Sequence, residues 1–392
     1  MNKFDVIVVG AGPVGSTFAR YIANEGFKVV MLERKREVGV PLQCAGLLGK
    51  KIKDINILPD EYILNEVYGA YLHSPSDIIL KVGRKDPEAY VIDRVGYDKF
   101  LVEQAVDAGA ELLLNHRVKG LDVKTGEVCV GNNSDKIFQG EVIVGADGHA
   151  SRVSDEFNPK SKSVMAAQYL LDMKKDVFDI DNVNLNVNSN ISPGFLWMIP
   201  ISKSMARIGL FANKDYNGLN EVLKDFINHD TCYKNASILK KYQGFIPVYN
   251  SKKKIVKDRA ILLGDAASQV KPTTGGGLII GFECAKMAAN TVSRALQMED
   301  IKILNEYEYE YKKRFKNELK VQIEVQKIFE SLTNEDLDKM FLKLKEGNAE
   351  ALISEYGDMD TQSTLIKEMI KNRLLFSILP KLLTRRIGSL WK

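Results

Sequence analysis

Gly10-Ala11-Gly12-Pro13-Val14-Gly15 follows a short β-branched run, Phe4–Val9, and opens an apolar-periodic segment that closes near Glu25 and Gly26. The run reads as a buried strand and the segment as a helix with Gly26 at its C′ position. Lys28–Glu33 reads as the next strand. In that setting each glycine has a physical task. Gly10 permits the tight turn, Gly12 lets the backbone approach a pyrophosphate, and Gly15 lets helix and strand pack closely. The helix N-terminus favours phosphate charge. Glu33, at the end of the second strand, can accept hydrogen bonds from ribose hydroxyls, and it disfavours a 2′-phosphate. The competing reading is a glycine turn that merely joins strand and helix. The flanking strands and the placed acid favour a dinucleotide-binding unit of a parallel α/β fold.

Which dinucleotide is decided further along. Glu141–Gly148 is a strand ending in Gly145-Ala146-Asp147-Gly148, with Ser151 and Arg152 close behind. Ala260–Ala267 is another, ending in Gly264-Asp265-Ala266-Ala267. Pro272 and the run Gly275-Gly276-Gly277 then open a helix of small and apolar residues through about Leu296. Asp265 can accept a ribityl hydroxyl, and glycine N–H groups at a helix N-terminus suit the electron-rich edge of a flavin. The bland alternative makes both aspartates ordinary turn residues. Eight residues beyond Glu33 lies Pro41-Leu42-Gln43-Cys44-Ala45-Gly46, a cysteine in a loop bounded by proline and glycine. In a flavoprotein the loop after that strand can reach toward the ring.

Composition narrows the class. The chain has 392 residues, is 45% hydrophobic and 27% charged, and carries a formal net charge of +4. That fits one large or two smaller domains and is too mild to argue for nucleic acid. The four cysteines, Cys44, Cys129, Cys232 and Cys284, form no C-x-x-C pair, so no metal site is expected, and their wide spacing gives no disulfide framework. His73, His116, His149 and His229 form no recognisable triad. The N-terminus enters a strand rather than a signal peptide, and no apolar run approaches the roughly 18–20 residues needed to span a bilayer. The expected location is cytoplasmic.

Two stretches interrupt the cofactor unit. Glu66–Tyr90 reads as a hairpin insertion, and Lys162–Asn250 holds strand-like runs at Val164–Met173, Val183–Val187, Phe195–Pro200 and Ala206–Ala212. Within Gly194-Phe195-Leu196-Trp197-Met198-Ile199-Pro200, alternation sets Phe195, Trp197 and Ile199 on one face. That face either walls an apolar cavity or forms the core of the sheet. The expected domains are thus 1–65, 91–160 and 251–300 for the cofactor, 66–90 and 161–250 for an antiparallel substrate sheet, and 301–392 for a helical C-terminal region. Residues 371–392 carry Lys371, Arg373, Lys381, Arg385, Arg386 and Lys392 among bulky apolar residues, with no acid. Pro380 splits them into two short helices. They read as an interfacial anchor or as a helix pair packed on the core.

In order and spacing, the three cofactor segments resemble the glutathione-reductase-like FAD family, in its para-hydroxybenzoate-hydroxylase-like branch. Pro-x-x-Cys-x-Gly, the Trp197 strand with Gly209 after it, and the Gln168-Tyr169 strand narrow the resemblance to the geranylgeranyl reductase family, archaeal digeranylgeranylglycerophospholipid reductase branch. The likeness extends to about residue 320. It implies FAD as cofactor, with a cofactor site of Gly10, Gly12, Gly15, Glu33, Cys44, Ala45, Gly46, Arg94, Val118, Asp265, Gly277 and Leu278. Arg94, before a helix expected to start near Tyr97, would lie by the FAD; its alternative is a surface arginine at a strand end. Val118, in an expected Asn115–Leu121 strand, would present its backbone to the adenine. Phe195, Trp197, Ile199, Pro200 and Gly209 would meet substrate. The family's second glycine after the Trp strand is here Phe211, which would narrow or reshape the lipid tunnel that the resemblance implies.

The implied activity saturates isoprenoid double bonds of geranylgeranyl chains in ether-lipid precursors. Cys44 would donate a proton, shield the ring or pack against it. The implied partners are a polyprenyl glycerophospholipid, a membrane surface met through the basic C-terminal segment, and a donor. No second glycine-rich nucleotide motif is present, so the donor is reduced ferredoxin or a reduced nicotinamide, NAD(P)H. Two other readings stay open. One is a flavin-dependent monooxygenase or halogenase of the same fold, since Trp-x-Ile-Pro is similar to a halogenase motif. The other is a flavoprotein that binds polyprenyl lipid without turnover.

Overall fold

The computed structural model describes residues 2–131, 136–229, 233 and 235–374. The greater part of the basic tail, 375–392, lies outside the described residues, and with it the expected anchor.

The strand Asn2–Val9 lies between Lys136–Gly145 and Val29–Leu32, parallel to both. Among the described residues its sheet has eight strands. Glu111–Leu113 extends it beyond Val29–Leu32, Ala260–Leu262 and Val256–Lys257 extend it on the other side, and Val118–Asp122 and Glu127–Val130 form an antiparallel flap on Lys136–Gly145. Val6, Ile7, Val8, Val142, Ile143 and Val144 are fully buried. Their continuous apolar character follows from helices covering both faces of a parallel sheet. The Pro13–Asn24 helix starts with proline in its first turn, and Gly26 (φ +87°) lies just past its Glu25 C-cap. The Leu278–Gln297 helix packs beside it: a Cβ on Gly281 would meet the Val14 side chain at 2.6 Å.

A second sheet has seven strands among the described residues. Its order is Ser237–Pro247, Ser163–Asp172, Met205–Ala212, Leu196–Pro200, Asn182–Asn186, Gly69–His73 and Ile79–Gly83. Only the Asn182–Asn186 and Gly69–His73 pairing is parallel. The hairpin from the first insertion is therefore stitched onto strands of the second. Leu196 and Met198 face a core under the Tyr216–His229 helix, whereas Trp197 and Ile199 join Phe195 and Phe211 on the opposite face. Strand alternation alone divides them. A small antiparallel sheet of Leu47–Gly49, Ala89–Ile92 and Ile63–Val67 bridges the two larger ones.

Local structure departs from expectation at two places near the cofactor segments. The helix expected from about Tyr97 begins at Arg94, because the Asp93 carboxylate caps it by accepting the Val95 N–H. The strand expected over 115–121 begins at Val118, because Asn115 adopts a left-handed conformation (φ +61°). The Ser237–Pro247 strand and the Tyr216–His229 helix have no counterpart among the sequence expectations. The strand's sequence, Ser-Ile-Leu-Lys-Lys-Tyr-Gln-Gly-Phe-Ile-Pro, lacks clean alternation because it lies at the edge of its sheet with much of its length exposed.

Beyond residue 300 the chain is helical, with Asn305–Glu330, Asn334–Glu346, Ala349–Tyr356 and Ser363–Lys371. Tyr307 and Tyr311 are buried while Tyr309 is 68% exposed, as helical periodicity requires. The Tyr307 hydroxyl accepts a 2.7 Å hydrogen bond from Gln269 Nε2, and Gln269 Oε1 accepts the Gly264 N–H at 2.7 Å. The Gly264–Ala267 turn is thereby tied to the C-terminal helices.

Candidate active site

A cavity of about 680 Å³ lies between the two large sheets. The glycine loop enters it first. Gly10 holds φ +98°, and a Cβ there would lie 2.5 Å from the Ala146 carbonyl oxygen. Gly15 has no room for a Cβ either, which would meet Gly10 O at 2.3 Å. Gly12 is different: nothing lies within 4 Å of where its Cβ would project. The Pro13–Asn24 helix has no side-chain cap and no acid in its first turn, and the same holds for the Leu278–Gln297 helix that begins after Gly277. Two bare helix N-termini thus open on one cavity, as a phosphate at one end and an electron-rich ring edge at the other require. These residues fit a flavin dinucleotide.

Glu33 lines the cavity, but its carboxylate also holds the loop. Oε2 accepts the Ala11 N–H at 3.0 Å and Oε1 the Lys35 N–H at 2.9 Å. Asp147 is a local cap, accepting from the Ser151 hydroxyl and the Arg152 N–H. Arg94 is not a surface residue. It is buried and forms a two-pronged pair with Asp98, both bonds 3.0 Å. Burial opposes its charge, but Asp98 holds the guanidinium firmly protonated.

Asp265 lines the cavity and is partly exposed to it. Burial pushes its carboxyl up to about 6, against the pull of Arg94. An unfolded aspartate titrates near ~3.9. The folded state therefore binds the proton more tightly, and stability falls as pH rises through this window, with the full penalty present above it. Asp265→Asn should stabilise the flavin-free protein above pH ~6 by on the order of 1–3 kcal/mol, with the gain vanishing below pH ~4. Thermal melts of apoprotein on both sides of the window test this; a pH-independent difference would refute it.

The cysteine loop is held from behind. Gly46 adopts φ +75°, and its N–H donates to Cys44 Sγ at 3.3 Å. The Arg207 guanidinium, buried and 6% exposed, donates to Ala45 O at 2.8 Å and to Ile92 O at 3.2 Å. Burial lowers its basicity. Above the loop, Trp197 Nε1 donates to Gln168 Oε1 at 3.0 Å, and Gln168 Nε2 reaches Cys44 O at 3.5 Å. Phe195 packs edge-on against Phe211 and Trp197, with ring centroids 5.2 and 6.2 Å apart.

Among the sequence candidates, Gly10, Gly12, Glu33, Cys44, Ala45, Arg94, Val118, Asp265, Gly277, Leu278, Phe195, Trp197 and Ile199 all line this one cavity, and so does Phe211. Gly15, Gly46, Pro200 and Gly209 stand behind its wall. Gly209 matters by its lack of a side chain: a Cβ would lie 2.5 Å from the Trp197 ring. It would also lie 2.7 Å from the Ala167 carbonyl oxygen, so Gly209→Ala should shift both the ring and the neighbouring strand and lower stability by about 1–3 kcal/mol; an unchanged melting curve would refute this. Gln168, Arg207, Lys271 and Met359 were not legible as site residues. Gln168 carries a signal only as part of a family-like strand, and nothing local marks a lone arginine as the brace of a loop far away in sequence.

The fold and cavity define a flavin-dependent oxidoreductase of the para-hydroxybenzoate-hydroxylase-like class. A family model described as lycopene cyclase protein matches residues 5–360. Digeranylgeranylglycerophospholipid reductase 1 of Methanococcoides burtonii is 31% identical, covering 88% of each chain. Digeranylgeranylglycerophospholipid reductase 2 of Methanopyrus kandleri is 32% identical, covering 86% of this chain and 89% of that one. A geranylgeranyl bacteriochlorophyll reductase-like protein of Thermoplasma acidophilum superposes over 100% of both chains with a TM-score of 0.85 and 24% identity. The flavin-dependent brominase Bmp2 superposes over 90% of this chain and 93% of its own with a TM-score of 0.70 and 16% identity. The chain belongs to the lycopene cyclase protein family and, within it, to the digeranylgeranylglycerophospholipid reductases. Among the described residues no helix is long and apolar enough to cross a membrane.

Proposed function

We propose that the protein is an FAD-dependent reductase that saturates the isoprenoid double bonds of geranylgeranyl chains in ether-lipid precursors. The observation that carries this reading is the meeting of an aromatic face, Phe195, Trp197 and Phe211, with the cofactor glycines and the Cys44 loop in one cavity. An isolated trisubstituted alkene has no carbonyl to bind, so recognition rests on apolar burial and shape. FAD would be held by the glycine loop, Glu33, Arg94, Asp265 and the 275–278 segment. When bound and reduced, the flavin supplies hydride. The residues around it position the chain, exclude water and favour positive charge on the more substituted carbon through ring faces such as Trp197. Cys44, which lines the cavity, donates a proton, shields the flavin ring or packs against it.

The donor is reduced ferredoxin or NAD(P)H, and the basic tail brings the protein to a membrane surface. The test is anaerobic: chemically reduced protein is given a digeranylgeranylglycerophospholipid and the lipid is weighed. A gain of about two mass units per double bond is expected. Bound lipid that returns unchanged would favour a carrier, and a hydroxylated or halogenated product in air would favour the alternative chemistry of the brominase-like fold.

A further inference from the structure

The cavity wall has a contribution from the C-terminal region, far in sequence from every motif of the site. Met359 and Asp360 line the cavity, and Met359 packs into the same apolar cluster as Trp197, Ile199 and Phe211. The segment bearing them is clamped from several sides. Lys271, in the loop that leads to Gly275–Gly277, donates through Nζ to Met359 O at 2.6 Å and to Asp360 Oδ1 at 2.8 Å. Both side chains of that pair are 6% exposed. Asp358 pairs with Lys51 at 2.8 Å and accepts the Asp360 N–H at 2.7 Å. Gln362 Nε2 donates to Thr273 Oγ1 at 2.7 Å, and the Glu318 carboxylate accepts the Gln362 and Ser363 N–H groups. A Cβ on Gly49, in the strand that follows the cysteine loop, would meet Met359 Cγ at 3.1 Å and Asp360 Oδ2 at 2.3 Å.

So many polar anchors on one short segment fix a wall rather than a mobile flap. The apolar side chain it projects is a methionine, unbranched and able to fill an irregular gap. From this geometry we infer that Met359 is a specificity-determining residue, which sets how much prenyl chain the cavity accepts, and that the Lys271–Asp360 pair holds it in place. The inference rests on the proposed reading of the cavity as a prenyl site. It assigns to the C-terminal region a direct part in substrate choice. Aspartate and lysine serve here as a clamp whose burial makes it rigid: each ion's loss of water is offset only while the other stays in place.

The test uses the full chain loaded with flavin, and calorimetric binding of geraniol and geranylgeraniol. Met359→Phe should weaken geranylgeraniol by about tenfold while leaving geraniol within about twofold, since a bulkier wall excludes the longer chain first. Met359→Ala should shift the preference the other way. Flavin content equal to that of the starting protein shows that the cofactor half is intact. If both alcohols change alike in both variants, or neither changes, the role of Met359 is overturned while the prenyl reading stands. If the unaltered protein binds neither alcohol, the prenyl reading itself fails.

Discussion

Gly12→Val should yield a folded protein that purifies without flavin. The position tolerates the side chain as far as the polypeptide is concerned: φ −72° and ψ 176° suit any residue, and nothing lies within 4 Å of the added Cβ. The space it would fill is the approach to the bare N-terminus of the Pro13–Asn24 helix. A branched side chain there keeps a pyrophosphate from the helix N–H groups. Flavin absorbance per chain should fall by at least about tenfold, while the far-ultraviolet circular dichroism is unchanged. Gly10→Ala provides the contrast. Its positive φ and its clash with Ala146 should destabilise the fold itself by about 1–3 kcal/mol. A Gly12→Val protein with full flavin content would mean that the cofactor's phosphates lie elsewhere.

The second large effect is expected at Arg207. Its guanidinium lies behind the cysteine loop, not in the cavity, and ties Ala45 O and Ile92 O together. No carboxylate pairs with it among the described residues. Arg207→Met removes a buried cation but leaves the two carbonyls without that partner, for a net loss of about 1–3 kcal/mol. The functional loss should be larger. A loop displaced by a fraction of a bond length misplaces Cys44 and the Ala45 backbone that line the cavity, so turnover of the proposed lipid should drop by about 10- to 100-fold at unchanged flavin content. Arg207→Lys should rescue only partly, because one ammonium cannot reproduce the planar fork. A second readout separates this from general damage: the Gly46 and Ile92 amides, which tie the loop to Cys44 Sγ and to Gly46 O, should exchange hydrogen faster in Arg207→Met, whereas exchange in the Asn2–Val9 strand stays unchanged. Wild-type exchange and turnover in Arg207→Met would remove Arg207 from the positioning of the loop.

The parts of the site legible in the sequence are those in which one residue type is dictated by backbone geometry within a few positions. Gly10, Gly12 and Gly15 form such a set, and so does Asp265 followed by the glycine run that opens the Leu278–Gln297 helix. The Phe195-Trp197-Ile199 face follows from alternation, although alternation could not say whether that face met a cavity or another layer of side chains. It does both: Trp197 and Ile199 belong to a packed cluster, and with Phe195 they also line the cavity. The departure at Phe211 was visible as a bulky residue in place of glycine, and its effect is a third ring on that wall. The resemblance puts Arg94 near the cofactor, but its pairing with Asp98, one helical turn on, depends on a helix that begins at Arg94 rather than at Tyr97.

The parallel α/β cofactor unit and the apolar character of the Phe195–Ile199 face are written in local residue patterns. Those properties depend on φ, on strand and helix period, and on residues close in the chain. How the site is braced and closed follows instead from packing between distant segments. Arg207 reaching Ala45, Gln168 joining Trp197 to the Cys44 loop, and Lys271 clamping Asp360 are contacts between residues 29 to 162 positions apart. A long polar side chain carries no local mark of the carbonyl it will meet, because that partner is set by how two sheets and the C-terminal helices pack, not by the neighbours of either residue.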